Sequence, residues 1–109
     1  MDLSKELVAA SATPMILSIL EEGDSYGYAI IKEVNELSGE EIQWTEGMLY
    51  PVLHRLEKQK LLSSYWERSA SGRKRKYYSL TSKGAHQLEN LKKQWQLVNS
   101  TLNKAWNNN

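Results

Sequence analysis

Cysteine is absent from all 109 residues, which excludes a disulfide framework and a thiolate zinc site and fits a reducing compartment. Histidine occurs twice, at His54 and His86. Neither sits in a recognisable metal-ligand or nucleophile motif, so no metal, no cofactor and no enzymatic activity are expected. No long hydrophobic run exists. The most apolar stretch, Pro14 to Leu20, is far too short to span a bilayer, and no cationic signal-peptide start precedes it. The expected location is the cytoplasm, with no membrane partner. Acidic side chains are also scarce after Glu46, where only Glu57, Glu67 and Glu89 remain.

That scarcity shows a charge asymmetry hidden by the net charge of +1. Residues 1–46 hold two basic and ten acidic side chains, 47–76 hold eight basic and two acidic, and 77–109 hold four basic and one acidic. The block charges are −8, +6 and +3. Sorted charge in a chain long enough for one domain gives one positive face, the electrostatic footprint of a polyanion partner. A solvated surface loop is the alternative reading of RKRK at 73–76. The basic residues of the adjoining helix favour nucleic acid.

The stretch from Thr45 to Gly84 carries that face. Leu49, Val52, Leu53 and Leu56 fall at i, i+3, i+4 and i+7, so one side of a helix is apolar and can be buried. The opposite side presents Tyr50, His54, Arg55, Lys58 and Gln59. Leu61 to Glu67 and Arg75 to Leu80 read as two strands joined by a polar, Gly-containing loop at 68–74. The hairpin tip is strongly cationic.

Upstream, Ser4 is placed to cap a first helix, which Thr13 and Pro14 are expected to restart or kink before it ends at Gly23. A second helix is expected from Asp24 or Ser25 to Ser38, with Tyr26, Ile30, Val34 and Leu37 on one side and Gly27 in close backbone packing. Thr45 is the expected N-cap of the third helix. Pro51 conflicts with that helix, because it removes a backbone hydrogen bond and should bend it at a cost of roughly 3 kcal/mol. Trp44 and Trp66 could each anchor the fold. Three helices followed by a hairpin give a mainly α chain with a small β-hairpin, a winged helix-turn-helix whose third helix enters the major groove.

YGYAI at 26–30, GMLYPVLHRLEKQ at 47–59 and GRKRKYYSLTSKG at 72–84 resemble, in order and spacing, three signature blocks of the PadR-like transcriptional regulators. The resemblance spans most of the first 84 residues. It departs from the family pattern at Met48, where Thr or Ser is common, and at Lys60, where a helix-ending Gly is usual. A side chain at Lys60 should cost about 1 kcal/mol if the left-handed cap is kept. The resemblance implies a homodimeric regulator, most often a repressor, released from double-stranded DNA by a small aromatic compound. The DNA-binding residues expected from the polar face of the third helix and the basic hairpin are Tyr50, His54, Arg55 and Lys58 on the helix, with Arg73, Lys74, Arg75, Lys76 and Tyr77 on the wing. The alternative is a winged-helix module that applies its basic face to an acidic protein.

The last segment suggests how two copies join. Thr81 can cap a helix bearing Leu88, Leu91, Trp95, Val98, Leu102 and Ala105 at spacings of 3 and 4, a seam of the kind that pairs helices. The chain thus divides into a DNA-binding unit at 1–80 and a dimerisation helix at 81–109, resembling the short class of the family. Two-fold symmetry predicts an inverted-repeat operator. Dimer contacts are expected from Leu88, Leu91, Trp95, Val98 and Leu102. A large aromatic at a seam position is most often simple interface packing, which is the first reading of Trp95; the alternative is an effector site between Trp95, Leu91 and Val98, closed by Leu7, Val8 or Ala12 of the partner subunit.

Overall fold

A computed structural model describes residues 1–107. The elements follow in the order α1 (Lys5–Glu22), β1 (Ser25–Tyr26), α2 (Gly27–Leu37), α3 (Glu46–Lys58), β2 (Leu62–Arg68), β3 (Lys74–Leu80) and α4 (Ser82–Trp106). The chain is mainly helical, with a winged helix-turn-helix followed by one long helix. Asn108 and Asn109, the end of the expected 81–109 unit, lie outside the described residues.

Helix α1 begins where Ser4 accepts a hydrogen bond from the Leu7 N–H. It runs through Pro14 without interruption, contrary to the expected restart. The helix continues because Ala12, Ile16, Leu17, Ile19 and Leu20 are all buried in one core, whose burial outweighs one missing hydrogen bond. Helix α3 likewise continues through Pro51, with Leu49, Leu53 and Leu56 buried.

The second helix starts later than its sequence suggests. Ser25 and Tyr26 form a short strand that pairs with Tyr78 and Tyr77, giving a three-stranded antiparallel sheet in the order β1-β3-β2 rather than a bare hairpin. Tyr26 therefore lies in the sheet, and Leu37, expected on the apolar side, is exposed. Helix α2 ends in two consecutive left-handed residues, Gly39 and Glu40. The turn into α3 is held by Ser38 Oγ, which accepts from the Ile42 N–H at 2.8 Å, and by Asn35 Nδ2, which donates to the Ile42 carbonyl at 3.2 Å.

Lys60 adopts φ 65°, the left-handed conformation anticipated at this position. The Leu61 N–H reaches the Leu56 carbonyl at 3.0 Å and the Lys60 N–H reaches that of Glu57 at 2.9 Å, the paired bonds that close a helix at a left-handed residue. Immediately beyond, Thr81 Oγ1 caps α4 by accepting from the Gly84 N–H at 2.9 Å. The same hydroxyl lies 2.7 Å from the Lys60 carbonyl, and Lys83 Nζ donates to the Gln59 carbonyl at 3.0 Å. The end of α3 and the start of α4 therefore satisfy each other's backbone groups.

Candidate nucleic-acid interface

Burial of Leu49, Leu53 and Leu56 turns the opposite side of α3 to solvent, and Thr45 Oγ1 fixes its first turn by accepting from the Met48 N–H. Tyr50, His54 and Lys58 are spaced by four and line one exposed stripe. Arg55 lies beside the stripe and leans toward α1, with Nη2 3.5 Å from Thr13 Oγ1. Tyr50 is less free than its spacing implies. A Cβ at Gly27 would meet its hydroxyl oxygen at 2.5 Å, so the ring lies directly on the backbone that opens α2. Gly27 permits this close approach, and a larger residue there would push the Tyr50 ring off the start of α2.

Strand alternation divides the basic run of the wing, which the sequence presents as four equivalent cations. Arg75 lies over the Tyr26 ring, 4.5 Å from its centroid, on the outer face of the sheet. Lys76 points inward, where Nζ is 3.7 Å from Glu57 Oε1 and 5.5 Å from the Tyr78 ring centroid. Arg73 and Lys74 remain exposed at the tip, and among the described residues neither has an ion-pair partner. Arg68, opposite Lys74 in the register, is a further tip cation that the reading of 73–76 missed; it braces the loop by donating to the Gly72 carbonyl at 3.1 Å.

Tyr77 is also engaged within the protein. Its ring meets Tyr26 edge-on at 5.3 Å and stacks with Tyr65 at 5.6 Å, making a row of tyrosines across all three strands. Tyr65 donates a 2.8 Å hydrogen bond to Asp24 Oδ2. That bond, with a smaller contribution from burial, pushes the Tyr65 phenol up to about 12. Trp66 was expected as an anchor. It is instead 66% exposed, on the same strand face as Arg68 and across from Lys76.

The seam expected on α4 divides into two halves. Leu88 is fully buried in the protomer's own core and cannot also serve a partner, because the first turns of α4 pack on α1. Leu91 and Trp95 are half-buried, and Val98 and Leu102 stand 48% and 41% exposed with Leu97 and Trp106 nearby on the helix. Ala12, expected to close an effector site from the partner, is buried and unavailable, while Leu7 is exposed and Val8 half-buried. Trp95 and Leu91 line a groove of about 730 Å³ between α1, α2 and α4, together with Met15, Ile19, Leu37 and Ile42. Val98 is not part of its lining.

The sequence profile described as the Transcriptional regulator PadR-like family matches residues 16–90, which include α2, α3, the wing and the start of α4. The chain belongs to this family. The crystal structure of a PadR-like transcriptional regulator from Bacillus cereus superimposes with a TM-score of 0.84 at 32% identity, over 96% of this chain and 100% of that one. A protein from Lysinibacillus sphaericus, itself uncharacterised, is 34% identical over 97 residues, 89% of each chain. The transcriptional regulator YqjI of Escherichia coli is 33% identical over 88 residues, which are 81% of this chain but 41% of that longer protein. As a PadR-like protein, the chain is a DNA-binding transcriptional regulator and not an enzyme. Among the described residues no helix is long and apolar enough to cross a membrane, and no group of three or more His, Asp and Glu could hold a metal ion.

Both departures from the PadR-like pattern have structural consequences. Met48 is half-buried and packs against the core, so a hydroxyl usual at this position is replaced by a side chain used for packing. Lys60 keeps the backbone shape of a glycine while paying for it in conformational strain.

Proposed function

We propose that this regulator is a homodimeric repressor that works in the cytoplasm and binds an inverted-repeat operator. In this reading the α3 stripe of Tyr50, His54 and Lys58, with Arg55 beside it, faces bases and nearby phosphates in the major groove. The wing tip, through Arg73 and Lys74 with Arg75 and Tyr77 behind them, follows the adjoining backbone. The observation that carries the proposal is the exposure of Tyr50, His54, Arg55 and Lys58 on α3 and of Arg68, Arg73 and Lys74 at the wing tip, while most carboxylates belong to residues 1–46. A duplex attracts such a face through its phosphates and is read through its base edges.

Dimerisation is supported by the outer half of α4. This helix has 25 residues, about 37 Å of length, and its last turns leave Leu97, Val98, Leu102 and Trp106 exposed among the described residues. A small aromatic effector fits the same region, because Trp95 and Leu91 border an apolar groove next to the exposed stripe. Such a compound regulates only by its differential affinity for two dimer arrangements. Mobility shift against the DNA upstream of the chain's own gene, at rising salt, tests the DNA reading against binding of an acidic protein. Sequence-selective retention with a steep loss in salt is the expected result.

A further inference from the structure

We propose that Glu57 is a positioning residue for DNA binding, one that sets the wing's angle against α3 and withdraws Lys76 from phosphate contact. The inference rests on the DNA-binding reading above and assigns Glu57 no contact with the nucleic acid. Glu57 is conspicuous because it is one of only two carboxylates in the basic segment 47–76. An anion on a helix that approaches a polyanion opposes binding by simple electrostatics. Its surroundings supply a reason for it to be there. The carboxylate accepts a hydrogen bond from Ser64 Oγ on β2 and lies 3.7 Å from Lys76 Nζ on β3, so one α3 side chain holds both strands of the hairpin.

The position along the hairpin gives that contact its leverage. On the inner face the sheet is anchored by Leu62, Tyr78 and Leu80, which join the core. Outward from the Leu62–Leu80 pair, Ser64 stands opposite the buried Tyr78 and Lys76 opposite the exposed Trp66, and beyond them Arg68 and Lys74 are both exposed. Glu57 therefore bridges the last level that reaches the core, through Ser64 opposite Tyr78, and the next one out, through Lys76 opposite Trp66. Lys76 is further confined by the buried Tyr78 ring, 5.5 Å from its ammonium group, and both members of the ion pair are about two-thirds shielded from solvent, with 28% and 32% exposure. A rotation at this level is amplified at the tip, where Arg73 and Lys74 sit.

The test compares two effects of opposite sign. Glu57→Ala removes a negative charge beside the DNA face, so electrostatics alone would tighten every duplex. Loss of positioning instead weakens the sequence that the protein selects from a random duplex pool relative to a scrambled duplex. The expected result is a several-fold fall in that ratio for Glu57→Ala and for Lys76→Met, with the double variant no worse than either single. The salt slope on scrambled duplex should be unchanged by Lys76→Met and lowered by about one unit by Arg73→Ala. Equal tightening of both duplexes in Glu57→Ala, or multiplication of the two single effects in the double variant, would overturn the proposal. Amide hydrogen exchange separates this outcome from failure of the DNA reading. If the wild type enriches no sequence, the DNA reading falls, while faster exchange at 64–68 and 74–76 in Glu57→Ala still supports the positioning contact and unchanged exchange rejects it.

Discussion

A Cβ placed on Gly84 would come within 2.1 Å of the Leu61 carbonyl oxygen, so α4 begins in direct backbone contact with the turn that ends α3. The helix that carries the exposed apolar stripe is thereby packed, backbone against backbone, on the turn that ends the helix carrying the candidate reading surface.

Gly84→Ala should therefore destabilise the protein by about 1–3 kcal/mol, since the obstacle is backbone rather than a side chain that can swing away. Urea unfolding at fixed protein concentration measures it. An unchanged midpoint would show that the junction opens freely.

Lys60→Gly should stabilise the fold by up to ~1 kcal/mol, because φ 65° carries a Cβ penalty that glycine lacks. The gain is read from the same unfolding curves. A loss would mean that the Lys60 side chain contributes more than its backbone strain costs.

Tyr65 provides a pH signature. Its phenol is raised to about 12 in the folded state, chiefly by the hydrogen bond to Asp24, so folding favours the neutral form. The associated stability is complete below the ordinary tyrosine value of 10 and is lost as pH climbs from 10 through about 12. In Asp24→Asn the tyrosinate absorbance attributable to Tyr65, identified by subtraction of a Tyr65→Phe curve, should appear at lower pH. Identical titrations would show that the contact is absent in solution.

The α3 stripe and the wing tip should respond differently to substitution. Replacing His54 or Lys58 by Ala should show which of them reads a base, since a base contact costs roughly 1–3 kcal/mol on its cognate duplex and spares others. Arg73→Ala and Lys74→Ala should weaken all duplexes alike and each reduce the salt slope by about one unit. Competition assays at two or more salt concentrations distinguish these patterns. Unaltered affinity in the wing double variant would leave those cations a role in solubility alone.

Much of this arrangement is legible in the sequence because it depends on local rules. The caps at Ser4, Thr45 and Thr81 follow from short side chains that accept from backbone N–H groups two or three residues on, and all three occur. Periodicity likewise locates the buried side of α3. What escaped it depends on distant partners. Ser25 and Tyr26 form a strand only because β3, some fifty residues later, offers its edge, and a two-residue strand leaves no alternation to detect. The basic run at 73–76 shows charge but not direction, so the engagement of Lys76 with Glu57 and of Arg75 with Tyr26 emerges only from the register. Leu88 continues a seam at perfect spacing yet belongs to the protomer core, since spacing identifies an apolar face without saying what covers it.

Hydroxyl-radical footprinting on a duplex selected by the protein tests most directly whether α3 and the wing tip form the DNA face of a two-fold assembly. The expected pattern is two protected segments related by inverted symmetry, centred near one helical turn apart or a multiple of it, with the outer phosphate protections lost in Arg73→Ala/Lys74→Ala. A single asymmetric patch, or protections that survive loss of both side chains unchanged, would contradict it.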